Sequence, residues 1–151
     1  MNLAYGFTHS GPALNAKELK LLEDELGCAF PDSYKKFMLH VNGGCPDHEV
    51  FDNPPEPSFV IQRLFPLGGE KPFELRNMNI HGTDLPKGLL DIGRSLCGDA
   101  LALCVSGENY GKLYWQDHEL AESPDDLEAM HLLCDNFGTF VAALRPLHEI
   151  S

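Results

Sequence analysis

Positive charge is what this chain of 151 residues has least of: 11 Lys and Arg stand against 23 Asp and Glu, for a formal net charge of −12. Neutralising a phosphate backbone needs clustered cations, so this balance argues against a nucleic-acid partner. A basic protein partner suits it, because a negative field attracts one from a distance. No C-x-x-C pair occurs among the five cysteines, Cys28, Cys45, Cys97, Cys104 and Cys134. The odd, dispersed set fits neither a zinc framework nor a disulfide scaffold. Cys104 and Cys134 fall in apolar stripes, where a thiol acts as a small hydrophobe, so reduced cysteines in a cytosolic protein are expected. Long apolar runs are missing too, so no bilayer-spanning segment is expected. The start Met1-Asn2-Leu3-Ala4-Tyr5-Gly6 lacks the basic and apolar regions of a signal peptide. Neither Gly43-Gly44 nor Gly68-Gly69 has the spacing and following helix of a phosphate-binding loop.

What is present is an ordinary globular mix, 43% hydrophobic and 23% charged, of a size that suits one domain spanning 1–151. Asn15, with Glu18 three residues on, has the form of a capping box, and Leu19, Leu22 and Leu26 follow at helical spacing until Gly27. Pro31 opens a second helix, whose stripe is Tyr34, Phe37, Met38 and Val41 and whose terminator is Asn42-Gly43-Gly44. The Pro- and acid-rich stretch from Cys45 to Ser58 reads as an exposed excursion with a short edge strand at Val50-Phe51. Phe59 to Leu67 and Leu89 to Gly93 read as strands, and Pro72 to Ile80 is read as a short helix over its alternative. Leu85-Pro86-Lys87-Gly88 reads as a turn.

Two extended runs, Cys97 to Val105 and Gly111 to Glu119, flank the polar Ser106-Gly107-Glu108-Asn109-Tyr110 linker and predict an antiparallel pair. Leu101, Leu103 and Val105 share one side, as do Leu113 and Trp115, which places Trp115 in the core. A last helix is predicted from Ser123, with Pro124 in its first position and Met130, Leu133, Cys134, Phe137, Phe140, Val141 and Leu144 on its stripe until Pro146. The fold class expected is α+β, an antiparallel or mixed sheet with helices packed against it.

Several motifs occur together in a specific order. Phe30-Pro31-Asp32-Ser33-Tyr34-Lys35-Lys36-Phe37 with Val41-Asn42-Gly43-Gly44 resembles the opening signature of the SUKH superfamily, the Smi/Knr-like domains. Leu85-Pro86-Lys87-Gly88-Leu89-Leu90-Asp91-Ile92-Gly93 is similar to its central turn and strand, and Cys97-Gly98-Asp99-Ala100-Leu101 to its Gly-Asp turn. Tyr114-Trp115-Gln116-Asp117-His118-Glu119 resembles its aromatic strand, and Asn136-Phe137-Gly138-Thr139-Phe140 its closing motif. The resemblance covers roughly Leu14 to Leu144, with Cys45, the acidic insert after it and Gly138 as departures. It implies a binding module without catalytic residues or cofactor. The bacterial members it points to are immunity proteins that neutralise a polymorphic or contact-delivered toxin, often one acting on nucleic acid. The alternative it implies is an intracellular adaptor or regulator of cell-wall synthesis or signalling.

Partner-binding candidates are the polar groups of the excursion and of the aromatic strand's exit: Asp47, Glu49, Asp52, Glu56, Asp117, His118, Glu119 and Glu122. On loops that converge they would form a negative patch suited to a basic toxin in the cytoplasm. The oligomeric state is left open. Two enzymatic readings compete with this one. The triplets Asp47-His48-Glu49 and Asp117-His118-Glu119 offer metal ligands, but neighbours on a strand point to opposite faces, so each supplies only part of a shell, and no metal is expected. Cys97 with His118 or His131 offers a nucleophile and base, without an oxyanion-hole motif beside it.

Overall fold

The computed structural model describes residues 2–69, 73–81, 83, 85–119 and 129–147. In chain order its elements are β1 (Phe7–Thr8), α1 (Ala16–Leu26), α2 (Asp32–His40), β2 (Cys45–Pro46), β3 (Val50–Phe51), β4 (Phe59–Leu64) and α3 (Leu75–Asn79). There follow β5 (Leu89–Ser95), β6 (Ala100–Cys104), β7 (Leu113–Gln116), β8 (Met130–Cys134) and α4 (Phe137–Ala142). Strands β3 to β8 form one sheet in sequence order, every neighbouring pair antiparallel, and β1 pairs with β2 separately. Helices and sheet share one core, so the α+β expectation stands.

The first helix forms as its cap dictates. Asn15 Oδ1 accepts from Glu18 N at 2.9 Å and Asn15 N donates to Glu18 Oε1 at 3.2 Å, closing the capping box. Pro31 sits one residue before α2, in extended conformation, and Tyr34, Phe37 and Met38 are buried. Their rings meet α4: Phe137 lies edge-on to Tyr34 at 5.1 Å and to Phe37 at 5.0 Å. The sheet supplies Ile61, Leu90, Ile92, Leu101, Leu103, Leu113 and Leu133 to the same cluster. Trp115 is partly buried against it, between the rings of Phe59 at 6.4 Å and His131 at 4.5 Å.

The long last helix is corrected. Met130 to Cys134 is a strand paired with β7, and only Phe137–Ala142 is helical; the expected start at Ser123 and Pro124 lies outside the described residues. Residues repeating every third and fourth position also satisfy an edge strand followed by a turn. What decides is Asn136, in extended conformation, whose side chain accepts from Thr139 N at 3.1 Å and starts a new helix there. The excursion is also less exposed than expected, since Pro46, Val50 and Phe51 are buried.

The sheet curls so that its edges approach. Val50 and Arg145 exchange two main-chain hydrogen bonds of 3.0 Å, and Asn53 Nδ2 donates to Leu132 O of the opposite edge strand at 3.4 Å. The other fastening is Asn42-Gly43-Gly44. Asn42 Nδ2 donates to Pro12 O and Leu67 O, and its Oδ1 accepts from Leu67 N, all at 2.8 Å. Gly43 and Gly44 have φ of 64° and 111°, and a Cβ on Gly44 would lie 2.5 Å from Thr8 O.

Two substitutions separate satisfied from unsatisfied buried polar groups. Asn42→Ala strands three main-chain groups and is expected to cost about 3 kcal/mol in urea denaturation. Tyr34 is the converse: its buried hydroxyl has no hydrogen-bond partner, and burial pushes its pKa up. Tyr34→Phe is expected to be neutral or stabilising by about 1 kcal/mol.

Candidate functional site

In an antiparallel meander alternate loops fall at the same end. Phe51 pairs with Phe59, Arg94 with Ala100 and Gln116 with Met130. The β3–β4 loop, the β5–β6 turn and the exit of β7 therefore share one end of the sheet. They carry Asp52 and Glu56, Asp99, and Asp117-His118-Glu119 respectively.

At the centre is the β5–β6 turn, Leu96-Cys97-Gly98-Asp99. Ser95 Oγ accepts from Cys97 N at 3.2 Å and from Asp99 N at 3.0 Å, while Leu96 N donates to Val60 O of β4 at 2.8 Å. The turn is thus held while the Leu96 side chain projects, 60% exposed. On one side Leu96 shares a shallow cleft of about 380 Å³ with Asp47, Glu49, Gln62 and Leu147. On the other, Asp99 Oδ1 accepts from His118 N at 3.1 Å and lies 2.5 Å from His118 Nδ1. That contact raises the His118 pKa above its ordinary 6.5, the hydrogen bond to Asp99 being the largest cause and Glu119 and Asp117 adding to it. Asp117 Oδ1 accepts from Glu119 N at 3.0 Å, which shapes the chain as it leaves the sheet.

Beneath His118 a polar recess of about 240 Å³ is lined by Asp91, Arg94, Gln116, Met78 and Leu85 among others. Arg94 meets buried Asp91 through both terminal nitrogens, at 2.6 and 3.0 Å. Asn79 joins α3 to β5 here: Asp91 N donates to its Oδ1 and its Nδ2 donates to Asp91 O, both at 2.9 Å. With both charges matched, this pair serves as a floor for the turn rather than a source of field.

The eight candidates separate into distinct settings. Asp47 and Glu49 border the Leu96 cleft, and Asp117, His118 and Glu119 stand across the turn from it. Glu56 is exposed at the tip of the β3–β4 loop. Asp52 is already engaged: Arg145 Nε and Nη2 reach it at 2.5 and 2.8 Å and Ser58 Oγ at 2.7 Å, holding its carboxyl down at about 2. Glu122 lies outside the described residues. Sequence reasoning missed Leu96 and Asp99 as site residues, although Cys97-Gly98-Asp99 was legible as a turn.

The two triplets do not combine. His48 turns inward, stacked on Tyr5 at 4.6 Å with Nδ1 3.2 Å from Leu144 O. Among the described residues, the ligand atoms that gather are those of Asp99, Asp117 and His118, within 4.8 Å of one another. They form a partly exposed acidic group in which His118 Nδ1 is committed to Asp99. Cys97 is exposed, and the cysteine hydrogen bonds run to main-chain carbonyls, from Cys104 to Ser106 and from Cys134 to Asn136.

A curled antiparallel meander with helices packed against it, and alternate loops gathered at one sheet end, defines an α+β domain that presents hairpin tips. The sequence matches the SMI1 / KNR4 family (SUKH-1) over residues 13–143, and the chain belongs to that family. No curated protein and no solved structure matches the chain. Among the described residues no helix is long and apolar enough to cross a membrane.

The His118–Asp99 contact has a testable pH signature. The folded-state pKa of His118 is raised, so the pair's stabilisation is complete below about 6.5, the unfolded value, and is lost as pH rises through the folded-state value. An NMR titration of the His118 ring is expected to give a midpoint above 6.5 that falls back towards it in Asp99→Asn.

Proposed function

We propose that this chain is a cytoplasmic immunity protein that binds and neutralises a cognate polymorphic or contact-delivered toxin without catalysing a reaction. Membership of the SMI1 / KNR4 family, which includes immunity proteins, supports the class of function. The observation that carries the reading is the sheet end itself, where acidic groups flank a projecting Leu96. Asp47, Glu49, Glu56 and Glu119 form no ion pair among the described residues, and Asp47, Glu56 and Glu119 are exposed.

A toxin that acts on nucleic acid needs a basic cleft to hold phosphates. An acidic surface meets that cleft with opposite charge and competes for the same cations. Charge then raises the association rate and fixes orientation. Desolvation of Leu96 and its cleft slows dissociation, since the centre of an interface is more apolar than its rim. Asp52 contributes less, because Arg145 balances it. Occlusion of the toxin's substrate channel, steric and electrostatic together, is the mechanism.

Calorimetry and stopped-flow mixing with the toxin encoded beside this chain test the reading. A one-to-one complex is expected, with an on-rate that falls as salt is raised. Joint replacement of Asp47, Glu49 and Glu119 by Lys is expected to slow association about tenfold at low salt. Leu96→Glu is expected to raise the off-rate. Failure of the unmodified chain to bind would refute immunity for that pair, whereas binding indifferent to both sets of changes would refute this location.

A further inference from the structure

The chain has four arginines, and three of them meet carboxylates: Arg76 with Glu25, Arg94 with Asp91 and Arg145 with Asp52. Arg63, on β4, has no such partner among the described residues. Its Nε is buried and makes no hydrogen bond. Its guanidinium lies 4.2 Å above the Phe73 ring, which stacks on Phe65 at 6.3 Å, and Arg94 covers Phe65 from 5.2 Å. Stacking fixes the plane of the Arg63 fork and supplies no acceptor. Among the described residues the Arg63 fork thus has an aromatic face beside it and no acceptor, which leaves its N–H donors available to one.

Arg63 lines an open pocket of about 510 Å³ with Leu64, Pro66, Phe73, Pro12 and His9. This volume is in the range of small-molecule sites, and apolar walls around one placed charge are their usual composition. The pocket lies toward the C-terminal end of β4, away from the acidic loops at its start. We infer that Arg63 and Phe73 form the head-group end of a binding site for a small carboxylate with an apolar body. The guanidinium edge matches a planar carboxylate through paired N–H donors. Proline, leucine and phenylalanine side chains would enclose the body. Phosphate fits less well, because Arg63 is the one permanent cation among the described lining residues and the net charge of −12 opposes a dianion.

Benzoate is a direct probe, followed on the 15N-labelled full chain by amide shifts of Gly44 and Gly69 and by the Arg63 Nε–H signal. Saturable shifts at these positions are expected with Kd of about 1 mM. Benzamide, which keeps the shape without the charge, is expected to bind at least about tenfold more weakly. Arg63→Lys, which keeps the charge and removes the fork, and Arg63→Gln are each expected to weaken benzoate by about tenfold or more while the remaining amide spectrum is unchanged. Should Arg63→Gln not fold, the Lys variant and the benzamide comparison decide. Absence of saturable shifts with benzoate, or benzamide binding equally well, overturns the site. Inorganic phosphate binding more tightly than benzoate overturns the carboxylate assignment. All of these readings are taken on the free chain, so failure of this site and failure of toxin binding are distinguishable.

Discussion

The close crossing at Asn42-Gly43-Gly44 is the contact on which the rest of the molecule hangs. Three chain segments meet there: the N-terminal arm at Thr8 to Pro12, the end of α2, and β4 as it runs into Leu67. The backbone of Gly44 pairs with Leu64 through two hydrogen bonds of 2.8 and 2.9 Å, leaving no room for a side chain. One amide side chain then satisfies three partly buried main-chain groups that would otherwise lack a protein partner. Because α2 carries Tyr34 and Phe37, locking its end to β4 also sets where the aromatic cluster with Phe137 can form.

From that fastening the sheet runs outward as a meander, and the meander separates kinds of charge. Three of the four arginines are paired with carboxylates, among them Arg94 with Asp91 under the β5–β6 turn and Arg145 with Asp52 where the curled edges meet. Asp47 and Glu49 border the Leu96 cleft without an ion pair among the described residues, and one arginine, Arg63, meets no carboxylate there either. The acidic cleft at Leu96 and the Arg63 pocket thus lie next to each other along β4, with Cys45 lining both.

Much of the fold was legible because local physics agreed with the tertiary outcome. The Asn15–Glu18 cap, the stripe of Tyr34, Phe37 and Met38, and the β6–β7 hairpin all follow from spacing that one structure alone satisfies. The stretch from Met130 to Leu144 was misread because its apolar positions fit both a helix and a strand joined to a shorter helix. Pairing with β7, a contact between distant positions, resolved it. At the site, Asp47, Glu49, Glu56, Asp117, His118 and Glu119 were legible as polar loop residues. Their arrangement about Leu96 was not, since it depends on which loops fall at the same sheet end.

By itself the sequence determined the excess of negative charge, the helix caps and breaks, the alternation of the central strands and membership of the SMI1 / KNR4 family. These are properties of composition and of neighbours along the chain. Only the tertiary structure decided that Asp99 would hold His118, that Arg145 would neutralise Asp52, and that Arg63 would be left facing a pocket. Each of those outcomes joins or separates residues far apart in sequence. Which charge finds a partner is settled by sheet register and curl, and a linear pattern carries neither.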